Sequence, residues 1–243
     1  MVSFKSAFPH LGKSTRLREH ALTPRPGFGN KSRSRVLDRK VIQPPMTTVP
    51  LKSIRLLSRR RSRAADAAAG GEGRAVVRAL SPRATRGRLT LGAITVPCAL
   101  GRAGLTVAKR EGDGKTVVGR FPLLFAFYRA DRMARPRTRL PLVAIEPGLG
   151  WCDDPRDAAY NRPVALPFAG SHEAMWRDDG LYDVVVVPQI NLAPAIPGRG
   201  SALFFHLARP GYTPTEGCVA VSRRDMLNLL ARIGPETVLS VEA

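Results

Sequence analysis

The chain has 243 residues, 44% hydrophobic and 24% charged, the composition of a globular protein with a core. Its formal net charge of +20 is uneven: the first 80 residues carry 18 Lys and Arg against 4 Asp and Glu, whereas residues 81–243 carry 21 against 15. These numbers describe a basic tail on a mildly basic domain, and they exclude a uniformly basic domain of the nucleic-acid-binding kind.

Residues 1–86 are rich in Pro, Ser, Arg and Ala, with no sustained apolar period, and Ala64 to Gly73 (AADAAAGGEG) reads as a linker. A disordered segment is expected here. One reading gives it electrostatic attachment to anionic polymers or a membrane surface, and the other a solvated tail. No aromatic residues interleave with the basic ones as a stacking nucleic-acid platform requires, so no specific nucleic-acid partner is expected. No run of 18 apolar residues predicts a transmembrane helix. The residues after Met1 lack an apolar signal core, and after Met46 the apolar positions Leu51, Ile54, Leu56 and Leu57 precede the charges Arg59 to Arg61, the wrong order for a secretory signal. No export signal is therefore expected.

The pattern changes near Gly87, where a domain running to residue 243 is placed. Leu89, Leu91, Ile94 and Val96 suggest extended chain interrupted by a turn or bulge at Gly92-Ala93. A second strand follows Gly101, and Glu111 to Lys115 (EGDGK) is a turn whose two glycines accept positive φ. Phe121 to Tyr128 and Leu140 to Ile145 predict further strands. Trp151 to Pro167 is polar and reads as a long irregular loop; its Asp153, Asp154 and Asp157 lack the glycine and terminal glutamate of a calcium loop and suit turn and cap chemistry. Ser171 to Trp176 suggests a short helix capped by Ser171, and makes His172 a rival base. Tyr182 to Val187 (YDVVVV) predicts a central strand buried on both faces. Ser201 to Phe205 and Val219 to Val221 predict two more. Ser222 with Asp225 reads as a helix N-cap; Met226, Leu229, Leu230 and Ile233 form an apolar helical stripe, Gly234-Pro235 ends it, and Thr237 to Val241 closes the fold as a strand. The total is mainly β with one or two short helices.

Three cysteines, Cys98, Cys152 and Cys218, are too few and too widely spaced for a disulfide framework, and no CxxC or Cys/His cluster suggests zinc. Cys98 reads as a buried small hydrophobe and Cys152 as buried or free. Cys218 differs. It directly follows Gly217 in Thr215-Glu216-Gly217-Cys218, downstream of His206 at the end of an apolar run. Strands on either side of a Pro- and Gly-rich connection can place this thiol beside the imidazole, the pairing that activates a cysteine near neutral pH. Gly217 permits close backbone approach, so the amides at Gly217 and Cys218 are candidate oxyanion donors.

Thr215-Glu216-Gly217-Cys218 with the upstream His206 resembles the [Ser/Thr]-x-Gly-Cys signature of the L,D-transpeptidase catalytic domain family (YkuD-like), enzymes that remodel bacterial peptidoglycan with a cysteine nucleophile. The resemblance extends from Gly87 to the C-terminus and includes Ala108 to Phe121 (AKREGDGKTVVGRF). The chain departs from the family pattern at Glu216, where histidine is usual, and at Ala220, where arginine is usual, and its His-to-Cys gap is shorter.

The resemblance implies a β-sandwich-like fold and an acyl transfer without cofactor or metal. Cys218 would attack the carbonyl of the third residue of a tetrapeptide stem, release D-Ala, and pass the acyl group from its thioester to an amine of a second stem, forming a 3→3 cross-link. Water as acceptor would give an L,D-carboxypeptidase, and a non-catalytic wall- or polyanion-binding protein on the same fold is the reading from another class. Arg209, Tyr212, Thr215, Arg223 and Arg224 surround the pair as candidates for holding substrate. The arginines would do so through a bidentate carboxylate pair, the alternative being a solvated basic face.

Overall fold

A computed structural model of the chain describes residues 73–243. The fold is mainly β, as the alternating and β-branched segments dictate. Fourteen strands are present among the described residues: β1 (Arg74–Ala79), β2 (Arg86–Leu91), β3 (Ile94–Ala99), β4 (Leu105–Thr106), β5 (Thr116–Val117), β6 (Gly119–Tyr128), β7 (Leu142–Ala144), β8 (Leu149–Cys152), β9 (Arg162–Ala165), β10 (His172–Ala174), β11 (Val184–Pro188), β12 (Phe205–Leu207), β13 (Val219–Val221) and β14 (Val238–Glu242). One α-helix, α1 (Arg223–Leu230), joins them.

The main sheet has the order β11-β12-β13-β3-β2-β1-β14-β6-β7, and β11 also pairs with β6. The long β6 makes this closure possible. Its first half pairs with β14, from Gly119 to Pro122, and its second half with β11, from Leu123 to Tyr128. The sheet thus closes on itself and leaves few open edges. A three-stranded sheet, β10-β8-β9, and a two-stranded parallel sheet, β4-β5, complete the architecture.

Strand alternation sorts side chains into two cores. Val184 and Val186 of β11, with Leu123 and Ala126 of β6, enter a cluster that also holds Leu89, Phe205, Val219, Val221 and the α1 residues Met226, Leu229 and Leu230. Val185 and Val187, with Leu124, Phe125 and Phe127, enter a second cluster with Trp151, Met175, Tyr182, Phe204 and Cys218. The uninterrupted valine run is therefore the shared wall of both cores, because successive side chains of a strand point to opposite faces. Edge-to-face contacts between Phe125 and Phe127, Phe127 and Trp151, and Trp151 and Phe204 rigidify the second core.

α1 begins where its capping residues place it: Ser222 Oγ accepts from the Asp225 amide at 3.1 Å, a contact of about 1 kcal/mol.

Four local expectations differ from the structure. The sheet starts at Arg74, before the boundary set at Gly87, because β1 pairs in parallel with β14 and antiparallel with β2. His172–Ala174 is the strand β10 rather than a helix, since it finds ladder partners in Gly150, Trp151 and Cys152. Residues 151–167 are not one irregular loop: Leu149–Cys152 and Arg162–Ala165 pair as an antiparallel hairpin. Finally, extended chain begins at Phe205 and not at Ser201, because Ala202 takes φ +48°, which breaks the strand and turns its carbonyl toward Cys218. All three cysteines are free. The basic tail and the linker expected before Gly73 lie outside the described residues.

Candidate functional site

β12 and β13 run parallel, with Phe205 opposite Val219, His206 opposite Ala220 and Leu207 opposite Val221. Parallel neighbours need a long connection, here residues 208–218, which contains a 3-10 turn at Pro210–Tyr212. Side chains two residues apart share a face, so Cys218, just before β13, stands on the same face as Ala220 and hence as His206. All three line one cavity of about 400 Å³, with Lys109, Glu111, Asp153, Glu173, Arg177, Tyr182, Ser201, Arg209 and Thr215 among its other walls.

The thiol is held at both ends. Phe204 N–H donates to Sγ at 3.2 Å, and the thiol donates to Ala202 O at 3.3 Å. Burial pushes the Cys218 thiol up to about 12, against the Phe204 amide and the Lys109 charge, which favour the thiolate; Glu173 and Glu216 oppose it.

His206 is held through Nδ1, 2.9 Å from Leu207 O. A carbonyl only accepts, so Nδ1 carries the proton and Nε2 presents a lone pair. The Tyr182 ring meets the imidazole edge-on, with centroids 5.4 Å apart. Burial brings His206 down to about 4 despite the Leu207 hydrogen bond, so the imidazole is neutral at pH 7. Tyr182 is raised well above its usual range, chiefly by burial, and stays a phenol.

Gly217 fixes the backbone before Cys218 by geometry. Its φ is +129°, and a Cβ there would lie 2.7 Å from Lys115 O and 3.1 Å from Lys109 Nζ. Thr215 ties the same turn together: its hydroxyl donates to Cys218 O at 2.7 Å and accepts from the Gly217 amide at 3.2 Å. Thr215 is in turn bridged to Gly101, with its amide on Leu100 O and its carbonyl on the Arg102 amide. The departure at Glu216 is an exposed side chain that lines the cavity and pairs with Arg102 at 2.8 Å.

Of the sequence-derived candidates, Cys218, His206, Thr215 and Arg209 meet at this cavity, with Gly217 directly behind the thiol. Arg209 lies 3.6 Å from Asp179. Tyr212, Arg223 and Arg224 do not line it. Tyr212 is in the 3-10 turn with φ +53°, and Arg223 is paired with the buried Asp183. The rival base His172 is outside the cavity walls, its Nδ1 2.9 Å from Gly170 O and its ring edge-on to Phe168.

Sequence reasoning passed over Lys109, Glu111, Glu173, Arg177 and Tyr182. Arg177 bridges Glu173 at 2.6 Å and Asp179 at 2.6 Å, lies 5.0 Å from the Tyr182 ring centroid, and is raised above its usual range by the Asp179 hydrogen bond first. Glu111 accepts from Ser201 Oγ at 2.7 Å and from Tyr160. The four-residue spacing of Glu173 and Arg177 is visible in the sequence, but spacing alone does not show that both line a cavity. Among the described residues no group of three or more His, Cys, Asp and Glu side chains is placed to hold a metal ion.

In this mainly β domain the parallel strands β12 and β13 set a glycine-preceded thiol and a neutral imidazole on one cavity wall. The sequence model of the YkuD family, the L,D-transpeptidase catalytic domain, matches residues 84–241, and the chain belongs to that family. Comparison with curated proteins and with solved structures gave no match.

Proposed function

We propose that the protein is a peptidoglycan L,D-transpeptidase in which Cys218 is the nucleophile and His206 the base. The observation that carries this reading is the placement of a hydrogen-bonded thiol and an Nε2-unprotonated imidazole on one face of the β12–β13 pair, opening on a common cavity.

The steps follow from the protonation states. Both groups rest neutral, so the thiol proton moves to His206 Nε2 as Sγ bonds to the donor carbonyl carbon, the third residue of a tetrapeptide stem. The carbonyl oxygen becomes an oxyanion, and the Cys218 amide, without a partner among the described residues, is free to donate to it. Collapse breaks the C–N bond, and the imidazolium returns its proton to the leaving D-Ala amine. An amine of a second stem then attacks the thioester, loses a proton to His206 and expels the thiol, which is reprotonated. The product is a 3→3 cross-link. Arg209 lines the cavity as a cation suited to a substrate carboxylate, and Glu111 and Asp153 line it as carboxylates suited to an amine.

Intact-protein mass after incubation of the full chain with a disaccharide-tetrapeptide tests this. An adduct equal to the donor minus D-Ala, absent from Cys218→Ala, is expected. A folded protein that forms no adduct and releases no D-Ala overturns the proposal and leaves a binding role on the same fold. Release of D-Ala with no cross-linked product in the presence of a second stem would instead make it a carboxypeptidase.

A further inference from the structure

The loop after β4 buries a lysine beside the nucleophile. Lys109 is 6% exposed, although it is a residue type almost never buried without a partner. Its ammonium is paired with Asp113, whose carboxylate also accepts from the amides of Arg110 at 2.9 Å and Lys115 at 2.8 Å. That ion pair alone does not require burial, since the same four-residue spacing forms readily on a loop surface. The slot that receives the side chain is specific. A Cβ on Gly200 would lie 2.9 Å from Lys109 Cγ, and one on Gly217 would lie 3.1 Å from Lys109 Nζ. Both glycines have positive φ, +95° and +129°. One opens the segment leading to His206 and the other immediately precedes Cys218. The two segments that carry the candidate base and nucleophile are thus both cleared of side chains where the lysine passes, and Lys109 ends in the cavity that Cys218 lines.

The charged and titratable groups facing Cys218 come from several elements: His206 on β12, Tyr182 before β11, Glu173 on β10, Glu216 in the preceding turn, and Lys109. Glu173 and Glu216 disfavour a thiolate, and Lys109 favours it. Arg177, another cation on the cavity wall, is paired with Glu173 and Asp179.

We propose that Lys109 supplies the positive charge that stabilises the Cys218 thiolate and then the oxyanion of the acyl intermediate, with Asp113 holding its ammonium in place. This rests on Cys218 being the nucleophile. A buried cation held by a preorganised partner needs no reorganisation when negative charge develops next to it, the condition under which electrostatic stabilisation is largest.

The test is the pH dependence of Cys218 alkylation by iodoacetamide in the full chain, mapped by mass, for wild type, Lys109→Arg, Lys109→Met and the double variant Lys109→Met/Asp113→Asn. The double variant leaves no unpaired carboxylate, so it is the one read if Lys109→Met alone does not fold. Alkylation at pH 8 about tenfold slower or more in the charge-free variants, with the midpoint moved up by about one unit and Lys109→Arg close to wild type, is the expected result. A double variant whose profile overlays wild type overturns the proposal, because Lys109 would then only neutralise Asp113. The readout uses no peptide substrate, so failure of the transpeptidase reading, seen as no D-Ala release by wild type, is distinguishable from failure of this one.

Discussion

His206 lies directly across from Ala220 in the parallel pairing of β12 with β13, and Cys218 stands two residues before Ala220 on the same face. The side chain in register with the imidazole is therefore a methyl group, and the space beside it belongs to the cavity. Replacing Ala220 with leucine fills that space from a fully buried backbone position. Overpacking of this kind costs about 1–3 kcal/mol of stability. The effect on D-Ala release should be larger in relative terms, about 100-fold or more, since a misplacement of about 1 Å at a reacting pair has that consequence. A thermal melt alongside the release assay separates the two, and a variant that melts lower but turns over at the wild-type rate contradicts the placement of substrate in this cavity.

Burial of His206 has a second consequence, for stability against acid. Its pKa falls from an ordinary 6.5 to about 4 on folding, because the interior disfavours the imidazolium. Between these values the unfolded chain binds more protons than the folded one, so stability from this group is fully present above pH 6.5 and is lost as pH falls toward 4. The loss is on the order of 3 kcal/mol over the window. Urea denaturation from pH 4 to 7 should show this slope in wild type and a shallower one in His206→Asn. Equal slopes would place the acid sensitivity elsewhere. The rate profile should follow the same group, with D-Ala release nearly flat from pH 6 to 8 and an acid limb well below the usual histidine range.

Much of this arrangement was legible in the sequence for a physical reason: strand patterning and glycine placement are local signals. The valine run at Val184–Val187 declared a strand buried on both faces, and it became the wall between two cores. Thr215, Cys218 and His206, singled out in the sequence, meet at one cavity, and the positive-φ glycine before the cysteine is a local backbone requirement. What the sequence did not reveal depends on partners distant in the chain. His172–Ala174 has no strong strand pattern of its own and is extended only because β8 offers it a ladder. Lys109 and Glu173 carry no local signal of a site, and only the closing of the cavity brings them to its wall with Cys218. Arg223 shows the converse. Its position five residues after the cysteine suggested a substrate contact, whereas the start of α1 directs it to Asp183.

That pairing gives a prediction separating structure from catalysis. Asp183 is buried at the entrance of β11, with a side chain 4% exposed, and it accepts from Arg132 at 3.1 Å and from Arg223. Arg223→Ala should lower the unfolding free energy by about 1 kcal/mol and leave the substrate dependence of D-Ala release unchanged. Asp183→Asn, which leaves two arginines facing a neutral group, should cost more, about 1–3 kcal/mol. A raised KM in Arg223→Ala with an unchanged melt would instead return this arginine to the substrate.

The three thiols differ in burial and in what they face, so their reactivity should differ in order. Cys98 is fully buried, and burial pushes it up to about 12 against the Gly87 backbone hydrogen bond. Cys152 is also fully buried, and burial raises it. Neither lines the cavity, whereas Cys218 is 9% exposed on its wall. A small alkylating reagent applied to the native chain should therefore label Cys218 first, by about tenfold or more, and the native Cys218→Ala variant should remain nearly unlabelled until denatured. Labelling of Cys98 or Cys152 at a comparable rate would mean that the native fold opens elsewhere as readily as at its cavity.

Gly217 joins the fold to the chemistry. An alanine there must hold φ near +129°, where side chains are rarely tolerated, and must place its Cβ against Lys115 O, a backbone atom that cannot swing aside. The Lys109–Thr116 segment would have to retreat from the turn that Thr215 ties together, which loosens the thiol and withdraws the lysine at once. Gly217→Ala should therefore destabilise the domain by about 1–3 kcal/mol and reduce acyl-enzyme formation far more than that loss of folded protein accounts for. Gly112→Ala is the control. It lies in the Lys109–Thr116 segment with φ +70° but meets nothing within 4 Å, so it shares the backbone strain without the collision. If both variants lose stability alike and both still acylate, close packing of the loop beneath Cys218 is not what positions the nucleophile.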